Sequence, residues 1–319
     1  MKIAVASGKG GTGKTTLAVS LALALAQMEE TGGESNPPVQ LLDCDVEAPD
    51  AHLFLHPHWV GETQVEIPIP SIDSDRCSLC GDCTEVCQYN ALALLGDQVL
   101  VFPELCHGCG SCTLICPEKA IRETPRALGK VRHGLGHGIS FYQGLMNVGE
   151  AQAVPVIHGL KQATVDFSGT VTILDAPPGT SCPMVETIKD ADFVLLVTEP
   201  TPSGLHDLEL AVEAVRELGT PRGVVINRDG IGDDRVEEFC RREGIPLLLR
   251  VPFQREIAEG MARGRTLLGL RPEMEDDLRD LLQKIRRAVA ATEPADTRKP
   301  DKAAVESRDA SPEEPGGAA

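Results

Sequence analysis

The stretch SGKGGTGKTT, residues 7–16, determines how the first part of this chain folds. It contains Gly8, four further residues, and then Gly13, Lys14 and Thr15, which is the spacing of a phosphate-binding loop. In such a loop, backbone N–H groups and the N-terminus of the next helix hold phosphate groups. The lysine adds a positive charge and the threonine hydroxyl binds Mg²⁺. The motif therefore predicts a nucleotide site.

The surrounding sequence has the context that this loop requires. A β-branched run at residues 2–7 precedes it and a Leu- and Ala-rich helical stretch at 17–27 follows it. A glycine-rich turn that matches the motif by chance is the alternative, and it would not require a strand before it and a helix after it. Further strand-length apolar runs lie at 39–43, 171–175, 193–197, 223–227 and 247–251, and helical patterns at 203–218, 233–242 and 273–290. Strands that alternate with helices predict an α/β fold, with a mostly parallel sheet covered by helices on both faces.

Composition and charge argue against several classes of protein. The 319 residues include 30 Lys and Arg against 48 Asp and Glu, a net charge of −18, with one Trp, two Tyr and seven Phe. Nucleic-acid binding needs clustered cations and stacking rings, so we do not expect it. No run approaches the ~18 apolar residues of a membrane span, and the N-terminal apolar run is too short for a secretory signal. We expect a soluble, cytoplasmic protein for which membrane binding is not favoured.

Eight of the 11 cysteines fall within 40 residues and form two runs of identical spacing. The first run is Cys77, Cys80, Cys83 and Cys87, and the second, 29 residues further on, is Cys106, Cys109, Cys112 and Cys116. Ala91 and Ala120 match at the same offset, so the segment is an internal duplication. Zinc sites and disulfides are the alternatives, but neither accounts for four cysteines in 2-2-3 spacing in each run. This is the spacing of bacterial two-cluster ferredoxins, and eight thiolates suit two 4Fe–4S clusters.

The resemblance to these ferredoxins implies how the clusters share the cysteines. The fourth cysteine of each run then binds the other cluster. One cluster would be held by Cys77, Cys80, Cys83 and Cys116, and the second by Cys106, Cys109, Cys112 and Cys87. Gln88 departs from the pattern, because it stands where Pro117 follows the second run, but the change removes no ligand.

A second lysine, Lys9, makes the loop GKGGTGKTT similar to the deviant Walker A motif of the MinD/ParA/Mrp and nitrogenase-iron-protein group of P-loop ATPases. The resemblance implies a slow, partner-stimulated ATPase with ATP and Mg²⁺ as cofactors. The extra lysine would reach the nucleotide of a second subunit, in a homodimer or a heterodimer with a paralogue. The residues of the loop itself are Gly8, Gly10, Gly11, Thr12, Gly13, Lys14, Thr15 and Thr16.

Further polar residues follow predicted strands in the order found in that group. By resemblance, Asp45 positions the attacking water, and Asp43 and Asp175 lie near Mg²⁺ and help to hold it. Asn227 would read adenine, and residues 251–260 resemble the adjoining loop on the base side. A single aspartate at a strand end could instead cap a helix, but several in family order favour the site. The carboxyl ends of parallel strands also open onto the crevice where α/β sheets bind ligands.

Three cysteines lie outside the two runs. Cys44 and Cys240 are expected to be small core residues. Cys182 lies seven residues after Asp175, the spacing of a ligand to the dimer-bridging cluster of the nitrogenase iron protein. No convincing second cysteine accompanies it, so a structural or redox-idle role is favoured. The apolar stripe of the helix at 273–290 is expected to pack in the core rather than on a membrane.

Together these motifs predict an ATPase domain at residues 1–70 and 125–292, interrupted at 71–124 by a small α+β ferredoxin-like domain, with a disordered tail at 293–319. The chain resembles MinD-superfamily ATPases that carry an inserted ferredoxin domain. We therefore expect ATP hydrolysis coupled to electron transfer through the clusters to an unidentified redox or metallocofactor partner protein. A Mrp-like iron–sulfur or metallocofactor carrier and a MinD-like positioning ATPase are the alternatives.

Overall fold

The computed structural model describes residues 1–27, 38–164 and 169–292. The strands in chain order are β1 (Lys2–Ala6), β2 (Val39–Asp43), β3 (His58–Ile72), β4 (Leu92–Leu95), β5 (Gln98–Val101), β6 (Ile121–Gly136), β7 (Ile139–Met146), β8 (Val171–Asp175), β9 (Phe193–Thr198), β10 (Arg222–Asp229) and β11 (Leu247–Pro252). The helices are α1 (Lys14–Gln27), α2 (His52–Leu55), α3 (Asp82–Val86), α4 (Ser111–Ile115), α5 (Ala153–Gln162), α6 (Cys182–Ile188), α7 (Pro202–Glu217), α8 (Arg235–Glu243), α9 (Arg255–Met261), α10 (Leu267–Leu270) and α11 (Met274–Thr292).

A nine-stranded sheet in the order β11-β10-β9-β1-β8-β2-β7-β6-β3 forms the centre of the molecule. Neighbouring strands from β11 to β7 are parallel, and β6 and β3 are antiparallel at one edge. The predicted α/β fold with a mostly parallel sheet is therefore confirmed. Strands β4 and β5 form a separate hairpin within the cysteine-rich segment.

The core lies on both faces of this sheet. Along β1, Ile3 and Val5 point into one apolar cluster, and Ala4 and Ala6 point into the other, because successive strand residues face opposite sides. Helices α1 and α11 cover the first face, while α5, α6, α7 and α8 cover the second. The apolar stripe of α11 is buried against the first face, which confirms its expected core role.

The cysteines outside the two runs differ in burial. Cys44 and Cys240 are buried in the second cluster, as expected for small core residues. Cys182 is exposed at the first residue of α6.

An antiparallel ribbon of β3 and β6 projects beyond β7 and holds the cysteine-rich segment at its far end. Strand β3 pairs with β6 from His58 opposite Leu135 to Ile72 opposite Ile121, whereas β7 pairs only with residues 129–136 of β6. The predicted insert boundaries, 71 and 124, thus fall within the two strands. Pro68 and Pro70 are tolerated in β3 because it is the edge strand of the sheet.

The predicted elements agree with the structure to within one to three residues at most ends. The first helix begins at Lys14, because the phosphate-binding loop leads directly into it. The sequence analysis did not predict the ribbon, β7, α5 or α6, nor the short helices α2, α9 and α10. The expected disordered tail, residues 293–319, lies outside the described residues. In the described ranges, no helix combines the length and apolar character needed to cross a bilayer.

Candidate functional site

The phosphate-binding loop connects β1 to α1, and at two of its positions neighbouring atoms leave no room for a Cβ atom. A Cβ atom on Gly8 would lie 2.0 Å from the carbonyl oxygen of Asp207. Gly13 has a φ of 96°, and a Cβ there would lie 2.3 Å from the Asn227 amide nitrogen. The Gly13 carbonyl accepts the N–H of Leu17 at 3.0 Å, which begins the α1 hydrogen-bond pattern inside the loop. The loop conformation therefore depends on glycine at these two positions.

A large open cavity lies beside this loop. The predicted site residues that line it are Gly10, Gly11, Gly13, Lys14, Thr15, Thr16, Asp45 and Asn227. The predicted base-side segment, residues 251–260, contributes Val251, Pro252, Phe253, Gln254, Ile257 and Ala258. It is not a loop throughout, because it includes the end of β11 and most of α9. Phosphate-binding backbone and a partly apolar wall thus meet in one cavity, which suits a nucleotide. Gly8, Lys9, Thr12, Asp43 and Asp175 do not line it.

Two buried carboxylates lie side by side next to the loop. Asp43 and Asp175 end the adjacent parallel strands β2 and β8 and are register partners. One oxygen of Asp43 accepts the Ala51 N–H at 3.0 Å. The other oxygen, and both oxygens of Asp175, have no hydrogen-bond partner of normal geometry among the described residues. Such orphaned buried oxygens fit a divalent cation, because Mg²⁺ prefers oxygen ligands.

Burial sets the direction of the pKa shifts of the carboxyl groups beside the loop. Burial raises the pKa of Asp175 to about 7, although the Thr15 hydroxyl and the Lys14 ammonium lower it. Burial, and secondly the charge of Asp175, raise the pKa of Asp43 well above its usual range. Burial also raises the pKa of Asp45. A cation bound here would favour the ionised carboxylates.

Lys14 is placed among these acids. Its side chain is only 7% exposed. Burial lowers its pKa, while Asp175, Asp45 and Asp50 oppose that shift. Asp50 also lines the cavity and was missed by the sequence analysis, although it closes the same LLDCDVEAPD stretch.

Lys9 is held away from the cavity by Glu199. Its ammonium lies 3.5 Å from a Glu199 carboxylate oxygen and 3.4 Å from the Ser203 hydroxyl. Glu199 is 7% exposed and also pairs with Arg228, which donates to the Gly11 carbonyl oxygen at 3.0 Å. The sequence analysis missed both residues. Their positions in the sequence could have indicated them, because Glu199 directly follows β9 and Arg228 follows Asn227 at the same edge of the sheet.

The Asn227 side chain contacts the loop from the side of β10. Its amide nitrogen donates to the Thr12 carbonyl oxygen at 2.7 Å, and its carbonyl oxygen accepts the Arg228 N–H at 2.9 Å. Asn227 thus braces the phosphate-binding loop as well as lining the cavity. Its role in reading adenine stays a prediction.

The eight clustered cysteines surround two separate cavities. One is lined by Cys87, Cys106, Cys109 and Cys112. The other is lined by Cys77, Cys80, Cys83 and Cys116. The fourth cysteine of each run thus faces the cavity of the other run, and the two sets are those that the resemblance to ferredoxins implies.

The duplication seen in the sequence is also a structural one. Helices α3 and α4 are offset by the same 29 residues, and a left-handed glycine precedes each of them. The N–H of Ala91 donates to the Cys87 sulfur, and the N–H of Ala120 donates to the Cys116 sulfur, each at 3.3 Å. The two bonds are equivalent under the 29-residue offset, and both alanine side chains are buried.

The thiols around each cavity can be compared with the needs of a single metal ion and of a polynuclear group. A tetrahedral zinc site has Zn–S distances of about 2.3 Å, so its four sulfurs must converge closely. Within the described ranges, no three His, Cys, Asp or Glu side chains converge to hold a single ion. Four thiols around each cavity, with backbone N–H donors to the sulfurs of Cys87 and Cys116, form a donor set that fits an iron–sulfur cluster.

Comparison with known proteins places this chain in a family. The family model for the CobQ/CobB/MinD/ParA nucleotide binding domain matches residues 3–267. The chain belongs to this family. The match spans the phosphate-binding loop, the strand-end acids and Asn227, and it supports nucleotide binding and ATPase activity as family properties.

The family relatives differ in what their names state. An uncharacterized protein of Methanocaldococcus jannaschii is 30% identical over 291 residues, covering 91% of this chain and 98% of its own. A second uncharacterized protein of that organism is 28% identical and covers 89% and 96%. An iron-sulfur cluster carrier protein of Pyrococcus horikoshii is 24% identical over 280 residues, covering 82% of this chain and 77% of its own.

Solved structures agree with the fold of the family. The septum site-determining protein MinD from Pyrococcus horikoshii, complexed with Mg-ADP, superposes with a TM-score of 0.52 at 17% identity. It covers 89% of this chain and 95% of its own. The cell division ATPase MinD from Pyrococcus furiosus gives a TM-score of 0.51 at 18% identity. At these identities the likeness shows the fold alone.

Proposed function

We propose that this protein is an ATP-dependent iron–sulfur protein, in which ATP hydrolysis by a dimer controls electron transfer through two 4Fe–4S clusters to a partner protein. The observation that carries the proposal is the sorting of the eight cysteines into two cavities, each lined by three cysteines of one run and one of the other. A chain with both this centre and a nucleotide-sized cavity has the parts that such coupling needs.

The nucleotide site assigns a distinct task to each of its residues. The loop N–H groups and Lys14 would bind the phosphates of ATP, and Thr15 with Asp175 would hold Mg²⁺, with Asp43 close by. Bound Mg²⁺ supplies charge neutralisation at the phosphates. Asp45, which lines the cavity with a raised pKa, would orient the attacking water and accept its proton.

Dimer formation would complete the site. Lys9 is 28% exposed, and its contact with Glu199 at 3.5 Å is a long ion pair. A lysine held in this way can exchange Glu199 for the phosphates of a nucleotide in a second subunit. The resemblance to the deviant Walker A group implies this movement, and the position of Lys9 at the rim supports it.

The clusters would carry electrons, since eight thiolates can hold two 4Fe–4S groups within one small unit. Cys80 and Cys109 are exposed, so each centre reaches the surface and a partner protein could approach either one. The cysteine-rich segment sits at the end of the ribbon, which keeps it accessible beyond the ATPase sheet.

A second candidate, transfer of iron–sulfur clusters to other proteins, is favoured by one observation. Relatives in Pyrococcus horikoshii and Aquifex aeolicus, each 24% identical, are named iron-sulfur cluster carrier proteins. A carrier would release its clusters to an acceptor protein, whereas an electron-transfer protein would retain them through repeated redox cycles.

The proposal is tested by measuring ATP affinity in the oxidised and reduced states of anaerobically purified protein. About eight irons per chain are expected from two clusters. If nucleotide and electron binding are coupled, the affinity must differ between redox states, because coupling is reciprocal. Lys14→Ala serves as the binding-defective control. Equal affinities in both states would refute the coupling, and loss of iron to an apo-acceptor would favour the carrier.

A further inference from the structure

A buried hydrogen bond connects the cysteine-rich segment to the ATPase region. The amide nitrogen of Gln152 donates to the backbone carbonyl oxygen of Cys106 at 2.9 Å, and Gln152 is 9% exposed. Cys106 lines the cavity that it shares with Cys87, Cys109 and Cys112. The bond thus joins the backbone of one candidate cluster ligand to a residue 46 positions further along the chain.

Gln152 is the residue immediately before α5, so any movement of this helix carries its side chain. The helix buries Val156, Ile157 and Leu160 in the core below the sheet. At its other end, Lys161 donates to the Glu186 carbonyl oxygen of α6 at 2.7 Å and pairs with Asp190 at 2.8 Å. Helices α5 and α6 are therefore fastened together.

Helix α6 is in turn connected to the nucleotide site. It follows the segment that leaves Asp175, and two backbone bonds hold that segment against the start of the phosphate-binding loop. The Ala176 N–H donates to the Val5 carbonyl oxygen at 2.9 Å, and the Gly179 N–H donates to the Ser7 carbonyl oxygen at 3.1 Å. A continuous set of contacts thus runs from the loop through α6 and α5 to Cys106.

The other cavity has no comparable connection in the part of the chain that the structure describes. Every residue that lines it lies between Ile72 and Ile121, at the end of the ribbon and within the segment itself. The cavity beside Cys106 instead includes Pro68, Pro70 and Glu123 of the ribbon, nearer to the sheet. The two centres therefore differ in how directly they contact the ATPase region.

We propose that Gln152 is a positioning residue that transmits the nucleotide state to the cluster held by Cys87, Cys106, Cys109 and Cys112, and to that cluster alone. The inference rests on the proposed function, because it requires two clusters and a bound nucleotide. A shift of α5 changes the hydrogen bond to the Cys106 carbonyl and hence the field at its thiolate. Hydrogen bonds and dipoles around ligand cysteines set cluster potentials.

The test is a redox titration of the iron-loaded full chain with Mg·ADP and then with a non-hydrolysed Mg·ATP analogue. In the unmodified protein, one of two midpoint potentials moves between the nucleotides. A tenfold difference in nucleotide affinity between redox states corresponds to about 59 mV for one electron. Cys80→Ala, which removes a thiol of the other centre, assigns the moving potential to the Cys106 centre.

Variants at Gln152 then test the hydrogen bond itself. Gln152→Met keeps the side-chain length without the donor, and Gln152→Leu is a second variant in case the first is poorly folded. Both are expected to retain iron and nucleotide binding but to lose the nucleotide-dependent shift. Gln64→Leu, at an exposed glutamine of the β3–β6 ribbon, is the matched control and should keep the shift.

The outcomes separate this inference from the function on which it rests. A shift that persists in both Gln152 variants, or one that belongs to the other centre, overturns the role of Gln152 and leaves the coupling intact. If neither potential moves in the unmodified protein, the proposed coupling fails and the inference fails with it.

Discussion

Replacing Asp175 by asparagine is expected to stabilise the nucleotide-free protein, although Asp175 is predicted to help to hold Mg²⁺. The carboxylate is buried beside Asp43, and neither of its oxygens has a hydrogen-bond partner of normal geometry among the described residues. Burial raises the pKa of Asp175 from 3.8 to about 7. An amide removes the charge with little change in shape.

The magnitude follows from linkage. Because the folded-state pKa is higher than the unfolded-state value, this group favours folding below about pH 4, and that contribution is lost as the pH rises to about 7. Each pH unit in this window costs about 1.4 kcal/mol, so the full loss is about 4 kcal/mol. For a chain of this size that corresponds to roughly 8 °C in Tm. Asp175→Asn escapes this loss.

The assay is thermal unfolding between pH 5 and pH 8.5 without nucleotide and with a chelator. The advantage of Asp175→Asn should grow up to about pH 7 and then stay level. Adding Mg·ADP should reduce this advantage, since the unmodified protein gains about 2.7 kcal/mol at a hundred times Kd and the variant gains less. Asp97→Asn, an exposed site on the β4–β5 hairpin, should show neither effect. A nucleotide-free variant less stable than the parent at pH 8 would refute the reasoning.

Three further predictions concern other parts of the molecule. Cys116→Ala should lower iron from about eight to about four per chain, because it removes the cluster of the first cysteine run. If electron paramagnetic resonance shows instead that the cluster of the second run is lost, the shared ligation is contradicted. Glu199→Gln should strengthen self-association in the presence of an ATP analogue, measured by analytical ultracentrifugation, because Lys9 loses its ion pair with the Glu199 carboxylate. Unchanged or weaker association would argue that Glu199 does not restrain Lys9. Leu21→Ala, at a fully buried position of α1, should cost about 2–5 kcal/mol in chemical denaturation, and a loss below about 1 kcal/mol would mean that the helix packs differently.

Much of the nucleotide site could be predicted because it depends on short-range rules. A strand, a glycine-rich loop and a helix must follow one another, and parallel strands end at the same edge of a sheet. Asp43 and Asp175, far apart in the chain, were therefore expected at the same edge, and the pairing of β2 with β8 in the structure places them side by side. The spacing of the cysteines likewise implied two ligand sets through the resemblance to ferredoxins.

The ribbon could not be predicted in the same way. Strand β3 contains two prolines and lies at the sheet edge, so its residues lack the continuous apolar run that revealed the central strands. Its pairing with β6 brings Ile72 and Ile121 together, and this register sets where the cysteine-rich segment stands.

The amino-acid sequence alone was enough to identify the phosphate-binding loop, the parallel strands and the duplicated cysteine runs, because each is written in neighbouring residues or in a repeated spacing. The contact of Gln152 with Cys106, the restraint of Lys9 by Glu199 and the raised pKa of Asp175 became visible only in three dimensions. Burial and hydrogen bonding between distant segments produce these properties, and both depend on how the whole chain packs.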